Sequence, residues 1–103
     1  MSQVSTQRST RLTLVTAPGC HFCEDAHRAV TGLIENGAAI ELEVVQATSP
    51  LGLALLAEHR PAMNPLVLID RRYFSAGRLP RRKLQALLTR RTGSPIAEAT
   101  SRG

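Results

Sequence analysis

The stretch TAPGCHFCEDAH, residues 16–27, decides how the rest of the chain is read. Cys20 and Cys23 are separated by two residues, His21 stands between them, and His27 follows one helical turn after Cys23. A redox pair, a metal site and two inert thiols all fit these letters. The flanking sequence has to separate them.

Upstream, RLTLVTA alternates Leu12 and Leu14 with polar neighbours and then adds Val15, the pattern of a strand. Pro18-Gly19 marks a turn into a helix. From Cys20 to about Glu35 the period is helical, with Ala26, Ala29, Val30, Leu33 and Ile34 on one face. Asn36-Gly37 closes it, Gly37 being free to take a left-handed cap conformation. The cysteines therefore lie where a strand hands over to a helix.

Downstream, AIELEVVQA alternates Ile40, Leu42 and Val44 with glutamates, a second strand. Ser49 and Pro50 are an N-cap and a first helical residue, and the short helix they open stops before Pro61. PLVLID is almost continuously apolar, as in a strand buried on both faces, with Pro65 at its first position. DRRYFS turns into a fourth strand without the usual Asp-Gly, and Gly77 breaks it. LPRRKLQALLTRR is an amphipathic helix with Leu84, Leu87 and Leu88 inward, stopped by Gly93 and Pro95. The order strand, helix, strand, helix, strand, strand, helix predicts a mixed four-stranded α/β sheet with helices on both faces. The domain spans 11–92, between a frayed polar N-terminus, 1–10, and a tail, 93–103.

The 103-residue length suits one domain. Hydrophobic residues make up 43% and aromatics only 3%, so the core must be aliphatic. No apolar run approaches the roughly 20 residues of a membrane span, and the polar opening MSQVSTQRSTR lacks the apolar centre of a signal peptide. These features predict a cytoplasmic protein with no membrane partner. Two cysteines are too few for the disulfide framework of a small secreted domain, and so short a loop adds little stability by constraining the unfolded chain. If the pair matters, it matters through its chemistry. The net charge of +5 is concentrated after residue 70. It reads as a solvated arginine-rich face. Only Phe22, Tyr73 and Phe74 are available to stack on bases, which argues against a nucleic-acid partner.

Three pieces together resemble the thioredoxin fold, specifically its small glutaredoxin-like members. LVTAPGCHFCEDAHRAV resembles the strand, CxxC turn and first helix, MNPLVLID the segment that carries a cis-proline to the cysteines, and FSAGRLPRRKLQALL the closing strand, glycine turn and last helix. The likeness covers Leu12 to Arg91. It implies a βαβαββα domain, a cis peptide before Pro65, and a substrate groove formed by Phe22, Asn64, Pro65 and Gly77. There are departures. His21 and Phe22 replace the usual Pro-Tyr, Ala17 stands where glutaredoxins carry a basic residue, Asn64 replaces Thr or Val, and Arg78 rather than an acidic residue follows the glycine turn. Thioredoxin's Trp before the first cysteine and its buried Asp are Gly19 and Leu14 here.

The chemistry follows from the spacing. A thiolate, not a thiol, attacks a disulfide, and a free cysteine with a pKa of about 8.5 is mostly protonated at neutral pH. Unpaired N–H groups and the positive dipole end of a helix favour the anion, so Cys20 is the expected nucleophile. Cys23, one turn on and facing the core, is the resolving thiol that releases substrate from the mixed disulfide. His21 is a candidate tuning residue, since a protonated imidazole would favour the Cys20 thiolate. Phe22 is a candidate lip for an extended substrate, which the backbone at Asn64 could pair as an added strand. The expected function is thiol–disulfide oxidoreduction by a monomer. Its substrate is a disulfide-bearing protein or small thiol, its electron source a reductase or thiol donor, and it has no bound cofactor, with glutathione as a conceivable co-substrate.

Two alternatives stand beside it. Cys20, Cys23 and His27 share one helix face and could hold a metal with His21 or His59, or an iron–sulfur cluster between two subunits. Zinc sites commonly need four ligands, however, and there is no second CxxC. A redox-inert binding module of the same fold is the other.

Overall fold

The computed structural model describes residues 9–92. The expectations for the polar N-terminus up to residue 8 and for the tail 93–103 lie outside the described residues. The elements follow in the order β1 (Thr10–Thr16), α1 (His21–Glu35), β2 (Ile40–Gln46), α2 (Pro50–His59), β3 (Leu66–Ile69), β4 (Arg72–Ala76) and α3 (Arg81–Thr92). The strands form one sheet in the order β2-β1-β3-β4. β1 runs parallel to β2 and antiparallel to β3, and β3 is antiparallel to β4. This is the α/β architecture of the thioredoxin fold, a mixed four-stranded sheet with three helices.

Alternation along the strands sorts side chains onto the two faces of the sheet. Leu12, Leu14, Ile40, Val67, Ile69 and Phe74 pack with Ala26 and Val30 of α1 and Leu84 and Leu88 of α3. Val15, Val45, Leu66 and Leu68 pack against Leu55 of α2. Two helices thus cover one face and one helix covers the other. Leu12, Leu14, Leu66, Leu68 and Leu84 are fully buried, each stabilising the fold by about 1.5–3 kcal/mol relative to an exposed side chain. β1 begins at Thr10, one residue before the expected boundary, because the Thr10 N–H reaches the Ala39 carbonyl at 2.9 Å.

Local signals set the element ends. Ser49 Oγ accepts the Gly52 N–H at 3.0 Å, with Pro50 opening α2. Gly37 has φ +101°, and the next residue, Ala38, returns its N–H to Leu33 at 2.9 Å. Gly52 cannot carry a side chain, since a Cβ there would collide with the Gln46 carbonyl. The periodicity misjudges Val44, which is 45% exposed while Val45 is buried. β2 is an edge strand, and only its pairing partner, not its own sequence, decides that.

The β3–β4 hairpin turns on Asp70 and Arg71, with φ +52° and +67°, positions that usually select Asn or Gly. Side chains compensate. Asp70 Oδ1 accepts the Arg11 N–H at 3.2 Å, and its other oxygen is paired with Arg91. Arg71 reaches both Glu43 oxygens at 3.2 Å, and Glu43 also accepts the Thr13 hydroxyl at 2.9 Å. Burial would raise the Asp70 pKa, but the hydrogen bonds from Arg91 and the Arg11 N–H, with both positive charges, outweigh it and hold the carboxyl below its ordinary value.

Candidate active site

At the opposite end of β1 from this hairpin the chain leaves Thr16 through Ala17-Pro18-Gly19. Gly19 has φ +70° with open space around it, so the backbone angle and not crowding requires glycine there. The turn delivers Cys20 to the N-cap of α1 in an extended conformation, φ −97° and ψ 110°. Its carbonyl accepts the Glu24 N–H at 3.2 Å, and its Sγ accepts the Cys23 N–H at 3.1 Å. The sulfur takes the place that a Ser or Asp oxygen usually fills in capping a helix. Cys23, one turn later, points its own sulfur back, and the two form a disulfide across a Cα separation of 5.2 Å. Cys23 is only 4% exposed, whereas Cys20 is partly open to solvent. Solvent therefore meets one sulfur much more than the other.

Two regions flank the pair. On the β3 side the Asn64–Pro65 peptide is cis. The Val15–Leu66 register sets Pro65 level with the end of β1, where the chain departs for the cysteines. Asn64 is exposed and Pro65 buried. The Gly77 N–H donates to the Pro65 carbonyl at 3.0 Å, and a Cβ at Gly77, φ +90°, would press on Met63 Sδ at 3.3 Å. The next residue, Arg78, holds its guanidinium 5.9 Å over the ring of Phe22. Phe22 is 37% exposed, so it lies outside the core. Met63 and Arg78 connect the Gly77 turn to the segment before Pro65 and to Phe22; Arg78 stands out in the sequence only as a departure after the glycine turn, and Met63 not at all. His21 is exposed beside Cys20.

On the β2 side a groove of about 560 Å³ is lined by both cysteines and walled by His27 and Arg28 of α1 and Val44 and Gln46 of β2. The shared helix face expected for Cys20, Cys23 and His27 is realised in its wall. His59 does not line it and instead packs near Tyr73, ring centres 6.5 Å apart. Among the described residues no group of three or more His, Cys, Asp or Glu side chains is placed to hold a metal ion. Arg28 could have been suspected from its place one turn beyond Glu24; Val44 and Gln46 depend on strand pairing.

Among the described residues no helix is long and apolar enough to cross a membrane. Compared with known proteins, the chain matches no family model and no curated sequence. The residues and their geometry alone carry the functional argument.

Proposed function

We propose that this protein is a thiol–disulfide oxidoreductase of the glutaredoxin-like kind. The observation that carries the reading is Cys20 at the N-cap of α1, its sulfur accepting a backbone N–H and joined to a nearly covered Cys23. In the dithiol form the same N–H and the positive helix end favour negative charge on Cys20. Cys20 then attacks one sulfur of a substrate disulfide, forming a mixed disulfide and expelling the other sulfur as a thiolate, which takes up a proton. Cys23 gives up its proton and attacks Cys20, releasing the second substrate thiol. The substrate disulfide gains two electrons and two protons, and the protein dithiol becomes the Cys20–Cys23 disulfide. A thiol donor or a reductase restores the dithiol. The open flank at Phe22, Asn64 and Pro65 suits an extended disulfide-bearing peptide, and a small thiol such as glutathione is the alternative substrate.

Alkylation of the reduced protein across pH tests this. Cys20 is expected to react as a thiolate at a pH well below the roughly 8.5 of a free thiol, and Cys23→Ser is expected to accumulate a mixed disulfide that Cys20→Ser does not form. An ordinary thiol titration together with no trapped adduct would leave the domain a redox-inert module.

A further inference from the structure

Arg78 has a ring beside it but, among the described residues, no acidic partner. It is exposed, it follows the Gly77 turn that is fastened to Pro65, and it lies over the ring of the residue between the two cysteines. Asp25, three residues after Phe22 on α1, is engaged by Arg81 at 3.3 Å. Among the described residues Arg78 forms no ion pair. On the groove side Arg28 shares its wall with a carboxylate, Glu24, one helical turn before it on α1, although no ion pair joins the two. On the Phe22 flank Arg78 has only the ring of a residue between the two cysteines against its charge. A guanidinium held at such a spot presents a fork suited to a carboxylate.

We propose that Arg78 determines substrate choice, selecting disulfides that carry carboxylates beside the reacting sulfur. This rests on the exchange chemistry proposed above. The bonds made and broken are those already given: the substrate sulfur bonds transiently to Cys20, and the carboxylate pairs with Arg78 while that bond forms and resolves. The carboxylates can come from an acidic protein segment or from a small acidic thiol, and the two sources share this chemistry.

The test uses the reduced full-length protein and three short cysteine peptides flanked by Asp, Gln or Lys. Each is supplied as a disulfide with a neutral thiopyridine whose release is followed by absorbance. At low salt the Asp peptide is expected to react about tenfold faster than the Lys peptide, and the ratio is expected to shrink as salt shortens the range of the field. Arg78→Glu should bring the Asp-to-Gln ratio below one, and Arg78→Lys should keep it above one. Arg90→Glu makes the same change in net charge in the last turn of α3 and should leave the ratio within about twofold, separating local recognition from general attraction to a basic protein. The ratio is taken within each variant, so partial loss of folded protein does not enter it. Equal rates for the three peptides, or a ratio that Arg78→Glu does not move, would overturn the selection while leaving the exchange chemistry standing. Rates no faster than those of an unstructured dithiol peptide for all three would overturn both. A thiopyridyl disulfide of a small dicarboxylate thiol identifies the source. Parity with the Asp peptide means a small acidic thiol suffices, and a clear deficit means an acidic segment.

Discussion

The two ends of the sheet are held by different means. At the hairpin end, charged side chains add to the backbone bonds: Asp70 to the Arg11 N–H and to Arg91, Arg71 to Glu43, Glu43 to Thr13. At the cysteine end the backbone does the fastening. Ala47 N–H donates to Thr16 at 2.7 Å, Gly77 N–H to Pro65 at 3.0 Å, and Gly52 lets α2 start hard against Gln46. Arginine therefore means different things at the two ends. Arg71 and Arg91 close a turn whose backbone angles disfavour ordinary side chains. Arg78 closes no turn, and among the described residues it forms no ion pair.

Three substitutions break or sharpen that contrast. Gly52→Ala should have the largest effect, because its Cβ meets a backbone carbonyl that cannot swing aside. A loss of about 2 kcal/mol in urea unfolding is expected, and a variant as stable as the parent would show that close backbone fit does not hold this end. Asp70→Asn should cost about 0.5–1 kcal/mol at pH 7, the scale of a partly exposed ion pair. The sign of its pH dependence follows from the lowered pKa. The carboxylate stabilises the fold above its unfolded pKa of about 4, and the contribution is lost as pH falls through the lower folded value. The stabilities of parent and variant should therefore converge progressively as pH falls below the ordinary carboxylate range, and a gap that does not narrow with acidification would assign the effect to something other than charge. Arg78→Gln should be the mildest, no more than about 0.5 kcal/mol for an exposed cation above a ring. A larger loss would make Arg78 a structural residue like those at the hairpin.

Much of this architecture is legible in the chain because its signals are local. Ser49-Pro50 opens a helix, Asn36-Gly37 closes one, and Cys20 at a strand–helix junction announces itself by spacing. What escapes is set by partners distant in sequence. Val44 alternates like a buried residue, but β2 has a neighbour on one side only. Asp70-Arg71 lacks the glycine of a tight hairpin because Arg11, Glu43 and Arg91, each at least twenty positions away, supply what glycine would. The basic second half reads as one solvated face, yet Arg71, Arg81 and Arg91 are paired with carboxylates while Arg78 is not. The Arg28–Val44–Gln46 wall of the groove exists only once β2 lies beside β1. The cysteine pair and its neighbours His21, Phe22, His27 and Pro65 are legible in the chain, whereas Arg28, Val44, Gln46 and Met63 are not.

In the proposed exchange the sulfur of Cys20 is both the reacting atom and the cap of a helix. Whatever happens to it is felt by the first turn of α1. A thiolate is a strong acceptor for the Cys23 N–H, while a thiol or a sulfur in a mixed disulfide is a weaker one. The amide of Cys23 is thus a built-in gauge. Its chemical shift and exchange rate should step with each stage of the cycle, allowing turnover to be followed from inside the protein without a label on either partner.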